Sequence, residues 1–291
     1  MKVSGFTFIR NAVQYDYPIV EAIRSILPLC DEMIVCVGNS ADETASLISN
    51  INDPKIKIHQ SIWNDSLKKG GAVLAEETNK AKSFISPDAA WAFYIQGDEV
   101  LHEKYIPKVR EEMEKYQHNP NVEGLLFRYQ HFYGSYDYVG DSRTWYSHEI
   151  RIIRNDPAIC SYRDAQGFRK NGCKLKVKAI DAYIYHYGWV KHPKDQLIKT
   201  RGFEKLYHET LLPETISASE SQGFDYSGID SLTVFRETHP EVMHERIRRK
   251  NWHFEFDITR KNFGIKHWVL HLIEKITGRR LFDYRNYRVL R

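Results

Sequence analysis

Nowhere in the 291 residues do about eighteen apolar residues run together, which excludes a membrane-crossing helix by the ordinary length criterion. Cysteine is scarce. Cys30, Cys36, Cys160 and Cys173 show no C-x-x-C spacing and are too few for a disulfide framework in a chain this long, so we expect reduced thiols in a cytoplasmic protein. The start, Met1 to Ile9, has one lysine and passes straight into strand-like sequence, without an apolar core region and a small-residue cleavage site, so no secretory signal is expected. Internal repeats and low-complexity segments are also lacking, which leaves globular architectures.

What is present is ample core material. Hydrophobic residues make up 42% and charged residues 27%, enough for one large α/β domain or a domain with an appendage. Aromatics reach 13%, with 18 Tyr and 6 Trp, and such side chains line sites for sugars or flat rings as well as cores. The net charge of +4 is uneven: Glu241 to Arg291 carries thirteen Lys/Arg against six Asp/Glu, +7, which leaves −3 to the first 240 residues. A basic tail of this kind suits an anionic surface or a solvated helical appendage. It carries no recognisable nucleic-acid recognition motif, so nucleic acid is not an expected partner.

The first hundred residues alternate strand and helix patterns. Val3 to Ile9 reads as a strand, Pro18 to Leu27 as a helix with proline in its first turn, and Met33 to Val37 as a second strand. A turn at Gly38-Asn39-Ser40 leads through Asp42-Glu43-Thr44 into a second helix. Ile56 to His59 is a third strand, Gly70-Gly71 opens a third helix, and Trp91 to Gln96 is a fourth strand. Short connections in a βαβα order predict a parallel sheet with right-handed crossovers. Lys68-Lys69 before Gly70-Gly71 reads either as a phosphate-facing pair or as a solvated loop.

A helix from about Glu103 to Tyr116 is followed by mixed β sequence. Gly124 to Tyr133, Glu149 to Arg154 and Ala182 to Trp189 alternate as strands, with a loop from Ser161 to Arg169 between the last two. Beyond Pro193 the pattern is helical, over Asp195 to His208 and Glu241 to Lys250, with a polar stretch Ser217 to Ser227 between. Ile265 to Ile276 is amphipathic and basic, its apolar face suited to packing on the rest of the chain, to a second subunit or to a membrane surface.

The sharpest feature is Trp91-Ala92-Phe93-Tyr94-Ile95-Gln96-Gly97-Asp98-Glu99-Val100. An apolar run of the length of a doubly buried strand stops at a glycine and two carboxylates. In an open α/β sheet the carboxyl ends of the strands form the ligand crevice, where two hard oxygen donors suit Mg²⁺ or Mn²⁺ shared with a phosphate. The alternative is an acidic turn capping the following helix.

The first strand ending in Asn11, the second followed by Asn39-Ser40-Ala41-Asp42-Glu43-Thr44, the glycine turn with its helix, and the fourth strand ending in Gln96-Gly97-Asp98-Glu99 together resemble family 2 glycosyltransferases of the GT-A fold. The resemblance covers about the first 190 residues. Ser4 to Asn11 and Ile184-Tyr185-His186-Tyr187-Gly188 look like a bacterial subgroup of that family. It implies an inverting, divalent-metal-assisted transfer of a sugar from a nucleotide-sugar to an acceptor hydroxyl, in polysaccharide or glycolipid synthesis, with a glycan or lipid-linked acceptor.

The fold implied is α/β: a mostly parallel sheet flanked by helices, a nucleotide-binding half over about 1–100, a mixed β acceptor half over about 101–192, and a helical, basic C-terminal region over 193–291. That region offers a membrane contact, at the inner face, or a homodimer contact. By the same resemblance Asp98, Glu99 and His186 hold Mn²⁺ or Mg²⁺. Arg10, Asn11, Asn39, Lys69, Gln96 and Gly97 meet the nucleotide-sugar, and Asp164, in the loop of the acceptor half, is the general base. Two departures stand out. Gln96 replaces the first acid of the family's D-x-D motif, and Gly38-Asn39 stands where paired acids often read the base. Two other classes fit the same pattern: a nucleotidyltransferase, which should carry a basic glycine-rich loop where Arg10-Asn11-Ala12-Val13 stands, and a nucleotide- or sugar-binding protein without catalysis.

Overall fold

The computed structural model describes residues 1–67, 69–207 and 223–291, with the side chain of Lys69 outside that description. The first half follows the expected alternation. β1 (Val3–Ile9), α1 (Ile19–Ile26), β2 (Glu32–Val37), α2 (Thr44–Ser49), β3 (Ile56–Gln60), α3 (Ala72–Ser83) and β4 (Trp91–Tyr94) build a parallel sheet in the order β3-β2-β1-β4. β1 and β4 run in register from Val3 opposite Trp91 to Phe6 opposite Tyr94, so both strands deliver their carboxyl ends to the same edge.

Period two sorts the side chains of this doubly covered sheet. On β1, Val3 and Ile9 pack with Ile19, Ile23 and Ile26 of α1, whereas Phe6 packs with Ala81 of α3 and Tyr94 on the other side. β2 is buried at all six positions, which is why its sequence, Glu32 apart, reads as a continuous apolar run.

After β4 the chain forms a second short strand, β5 (Glu99–Leu101), before α4 (Ile106–Tyr116). Asp98 therefore sits in the turn between β4 and β5, Glu99 begins β5, and the acids do not cap the following helix. The mixed half consists of β6 (Gly124–Tyr133), β7 (Tyr138–Gly140), β8 (His148–Arg154), a hairpin sheet of β9 (Ile159–Tyr162), β10 (Gly167–Lys170) and β11 (Cys173–Lys174), and β12 (Lys176–Trp189). β8 is antiparallel to both β4 and β6, and β12 lies parallel to β6 and antiparallel to β5. The expected loop Ser161 to Arg169 is thus largely a hairpin. Only its tip is a turn, and Arg163 and Ala165 there adopt positive φ of 55° and 60°.

The C-terminal region is more than an appendage. α5 (Pro193–Tyr207) crosses the cleft edge, β13 (Leu232–Val234) extends the sheet beside β7, and β14 (Arg288–Val289) pairs with β12. α6 (His244–Arg248) and α7 (Ile265–Thr277) complete the described helices. The expected helix end at His208 and most of the polar stretch from Ser217 fall outside the described residues. The α/β fold read from the sequence, a mostly parallel half joined to a mixed β half, is the one observed.

Candidate active site

The carboxyl ends of β1 and β4, the β9–β10 turn, the end of β12 and α5 surround one cleft of about 1170 Å³. Gln96, Gly97 and Asp98 form its floor, with Arg10 and Asn11 from β1 on one side and His186, Lys199 and Asp164 on the others. A Cβ at Gly97 would come within 2.8 Å of Ile9 Cδ1, so that side chain would have to shift to admit one.

Asp98 is 8% exposed. Burial alone would raise its pKa, but the Lys199 ammonium holds it well below the usual carboxylate range. Lys199 Nζ lies 3.1 Å from Asp98 Oδ2 and 2.8 Å from the Gly188 carbonyl oxygen. Both Lys199 and the fully buried Lys191 place their ammonium groups 4.9 Å from the Tyr17 ring centroid. Burial and the nearby Lys199 charge lower Lys191 to about 7.

His186 is oriented by a relay. His131 Nε2 sits 2.8 Å from the Tyr146 carbonyl oxygen, an acceptor only, so this nitrogen carries the proton and His131 Nδ1 accepts. The contact of 3.1 Å between His131 Nδ1 and His186 Nδ1 then requires His186 Nδ1 to donate. Burial lowers the pKa of both rings, in keeping with neutral tautomers. The remaining lone pair, on His186 Nε2, faces Asp98 Oδ2 across 3.8 Å. One carboxylate and one imidazole lone pair suit a divalent ion that takes its other ligands from water and a diphosphate. Among the described residues no group of three or more His, Cys, Asp or Glu is arranged to hold a metal.

Glu99, expected to join that shell, is placed elsewhere. It is fully buried outside the cleft lining: Arg151 Nε and Nη2 donate to its two oxygens at 2.7 and 2.6 Å, and the Tyr129 hydroxyl donates at 2.8 Å. Both oxygens are engaged, so Glu99 locks β5 to β8.

Among the residues expected to meet a nucleotide, Arg10, Asn11, Gln96 and Gly97 line the cleft. Arg10 is held by Asp65 at 2.7 Å and lies 5.4 Å from the Trp63 ring centroid. Asn11 adopts φ 55°, a conformation asparagine tolerates, and its Oδ1 accepts from the Ala41 N–H at 2.9 Å, tying β1 to the turn after β2. Asn39 does not line the cleft; its Oδ1 accepts from the Trp63 N–H at 3.2 Å, so it braces the aromatic wall instead. The Lys69 side chain, like Lys68, lies outside the described residues.

Asp164 lies in the hairpin turn, not at a helix start, and lines the cleft. The Tyr207 hydroxyl of α5 donates to its Oδ2 at 3.1 Å. Gly71, at φ 68°, allows this approach, since a Cβ there would come within 2.9 Å of the Asp164 Cβ.

Sequence reading missed Glu149, Gln166 and Lys199. Glu149 is buried on the cleft wall beside Arg151, and burial raises its carboxyl to about 8 against the opposing pull of Arg151. Its Oε2 and Gln166 Oε1 have no hydrogen-bond partner among the described residues. A signal was available: His148-Glu149-Ile150-Arg151-Ile152-Ile153 places two charges at period two inside a doubly buried apolar strand.

No family model matches the chain, and no curated protein matches it in sequence. Among solved structures, S. aureus TarS residues 1–349 in complex with UDP is 16% identical with a TM-score of 0.40, over 70% of this chain and 64% of that one. Glucosyl-3-phosphoglycerate synthase of Mycobacterium tuberculosis, in complex with Mn²⁺, UDP and glucosyl-3-phosphoglycerate, is 17% identical with a TM-score of 0.31, over 46% and 45% of the two chains. 4-Diphosphocytidyl-2C-methyl-D-erythritol synthase of Anaerococcus prevotii is 12% identical with a TM-score of 0.34, over 53% and 71%. Likenesses of this size leave the reading of the site to its own residues.

Proposed function

We propose that the cleft binds a nucleotide-sugar and transfers its sugar, with inversion, to an acceptor hydroxyl, as a glycosyltransferase of GT-A architecture resembling family 2. The observation that carries this reading is the convergence of Asp98, the His186 Nε2 lone pair and the Lys199 ammonium at the carboxyl end of β4, in one cleft with Asp164. Asp98 and His186 would hold Mn²⁺ or Mg²⁺. Bound there, the ion supplies Lewis-acid stabilisation of the charge growing on the leaving diphosphate.

The remaining roles belong to the chain. Lys199 adds a buried positive charge toward the same diphosphate, and Arg10, Asn11, Gln96 and Gly97 border the nucleotide. Asp164 takes the proton of the acceptor hydroxyl as its oxygen bonds to the anomeric carbon and the diphosphate departs from the opposite face. Glu149 and Gln166 border the sugar from the cleft wall. The acceptor is a glycan or a lipid-linked sugar.

The test is release of nucleoside diphosphate from UDP-, GDP- and dTDP-sugars, or of CMP from a CMP-sugar, with and without Mn²⁺. Turnover with one donor, lowered about 10²-fold or more in Asp164→Asn by the usual size of general-base catalysis, is expected. Gln96, an uncharged residue at an acid's place, favours a second reading, a nucleotide binder without catalysis. Nucleotide binding without release of product from any donor would select it.

A further inference from the structure

α7 is an amphipathic helix turned inside out. The side turned to the protein holds Glu274, which accepts from Arg143 at 2.6 Å, with half-buried Leu270 and Ile273 beside it, and Arg280, just beyond the helix, donates to the carbonyl oxygens of Arg143 and Trp145 at 2.9 and 2.7 Å. Gly278, at φ 65°, caps the helix with its N–H on the Glu274 carbonyl oxygen.

The apolar side faces outward. Ile265 is 86% exposed, Trp268 52%, Val269 51%, Leu272 44% and Ile276 75%. At 100° per residue these five positions fall within one sector, and Lys266 and Lys275 lie at its two borders. Lys266, Lys275 and Arg279 are exposed and make no ion pair among the described residues. Past the helix, Phe282 is 90% exposed.

We propose that α7 docks the protein on an anionic lipid surface, lying in the interface plane with its apolar stripe among the acyl chains and its bordering lysines at the headgroups. The charge pattern selects this occupant. An isologous dimer through the stripe would bring the lysine borders of two copies together, whereas an anionic surface takes both borders favourably. A stripe of exposed aliphatics with a tryptophan near its edge is the composition of an interfacial helix. Thirteen residues are too few to span, and no helix among the described residues is long and apolar enough to cross a membrane. Inward rotation of the stripe would break the Arg143–Glu274 pair. This inference stands independently of what the cleft transfers.

The test is co-sedimentation of the full chain with vesicles of phosphatidylcholine alone and of phosphatidylcholine mixed equally with phosphatidylglycerol, at low and high salt. Binding only to the mixed vesicles, weakened by salt, is expected. Trp268→Ser with Ile276→Ser should weaken it by about 10²-fold or more, since two large apolar side chains lose their burial among the acyl chains. Lys266→Glu with Lys275→Glu should do the same, at about fivefold per lysine removed from the surface. Because all four positions are exposed, unchanged circular dichroism and thermal midpoint will show that the variants fold. Absence of vesicle binding, or binding that neither pair alters, overturns the proposal. A concentration-dependent dimer in light scattering that the serine pair abolishes, without vesicle binding, assigns the stripe to a second copy instead.

Discussion

α1 and α7 carry nearly the same apolar pattern and meet opposite fates. In α1, Ile19, Ala22, Ile23 and Ile26 recur at i, i+3, i+4 and i+7 and are buried against the sheet, while Glu21 stands away from it with Arg246 at 3.4 Å. In α7, Ile265, Trp268, Val269 and Leu272 recur at the same spacing and are exposed, while Glu274 points inward to Arg143. Periodicity therefore locates a stripe without saying what it faces. The partners of the polar side decide that, and α7 has a buried arginine waiting where α1 has a sheet.

Substitution can break this comparison. Ile23→Asp puts a charge into a fully buried site and should cost about 5 kcal/mol, enough to unfold most of the protein, whereas Leu272→Asp should stay within about 0.5 kcal/mol in urea titrations. Equal losses would mean that the α7 stripe is covered.

A smaller effect separates the neighbouring carboxylates. Glu99→Gln leaves Arg151 buried beside a neutral amide and should cost about 3 kcal/mol, the lower end for breaking a buried pair. Asp98→Asn likewise leaves the buried Lys199 ammonium beside a neutral amide and should cost a comparable amount in the same titration, but it alone should abolish metal-dependent nucleotide binding. If Glu99→Gln removed binding at no cost in stability, Glu99 would belong to the metal shell after all.

The last effect is spread over pH and is small at any one step. Glu149 keeps its proton up to about 8 in the folded protein, against about 4.5 for an ordinary glutamate. Between those values the unfolded chain binds fewer protons, so stability falls as pH rises, by about 1.4 kcal/mol per unit at most, and levels off above 8. Glu149→Gln should flatten this component, so that its stability relative to the wild type grows from pH 5 to pH 8. Parallel stability curves would place an ionised carboxylate at 149.

Much of this was legible in the chain. The Phe-, Ile- and Val-rich stretch Val3 to Ile9 and the continuous run Trp91 to Tyr94 announced buried parallel strands, and the abrupt change at Gln96-Gly97-Asp98 announced the cleft floor. What escaped reading depends on contacts between distant segments. Lys199 reaches Asp98 across 101 positions, and Arg151 reaches Glu99 across 52, and neither has a local pattern. The segment around Asp164 was read as a loop because Gly, Asp and Gln suggested one, yet β9 and β10 pair across it. Lys199 was hidden for another reason: in a helix with basic neighbours, nothing local distinguishes a buried lysine from a solvated one.

The central claim, a nucleotide-sugar site built on Asp98, is tested most directly by thermal unfolding with UDP, GDP, dTDP and CMP, each with and without Mn²⁺, for the wild type and Asp98→Asn. A ligand that binds only the folded state at about a hundred times its Kd adds about 2.7 kcal/mol, a shift of several degrees. The account predicts a metal-dependent rise with one nucleotide in the wild type and none in the variant. No rise with any nucleotide, or an equal rise in Asp98→Asn, would contradict it.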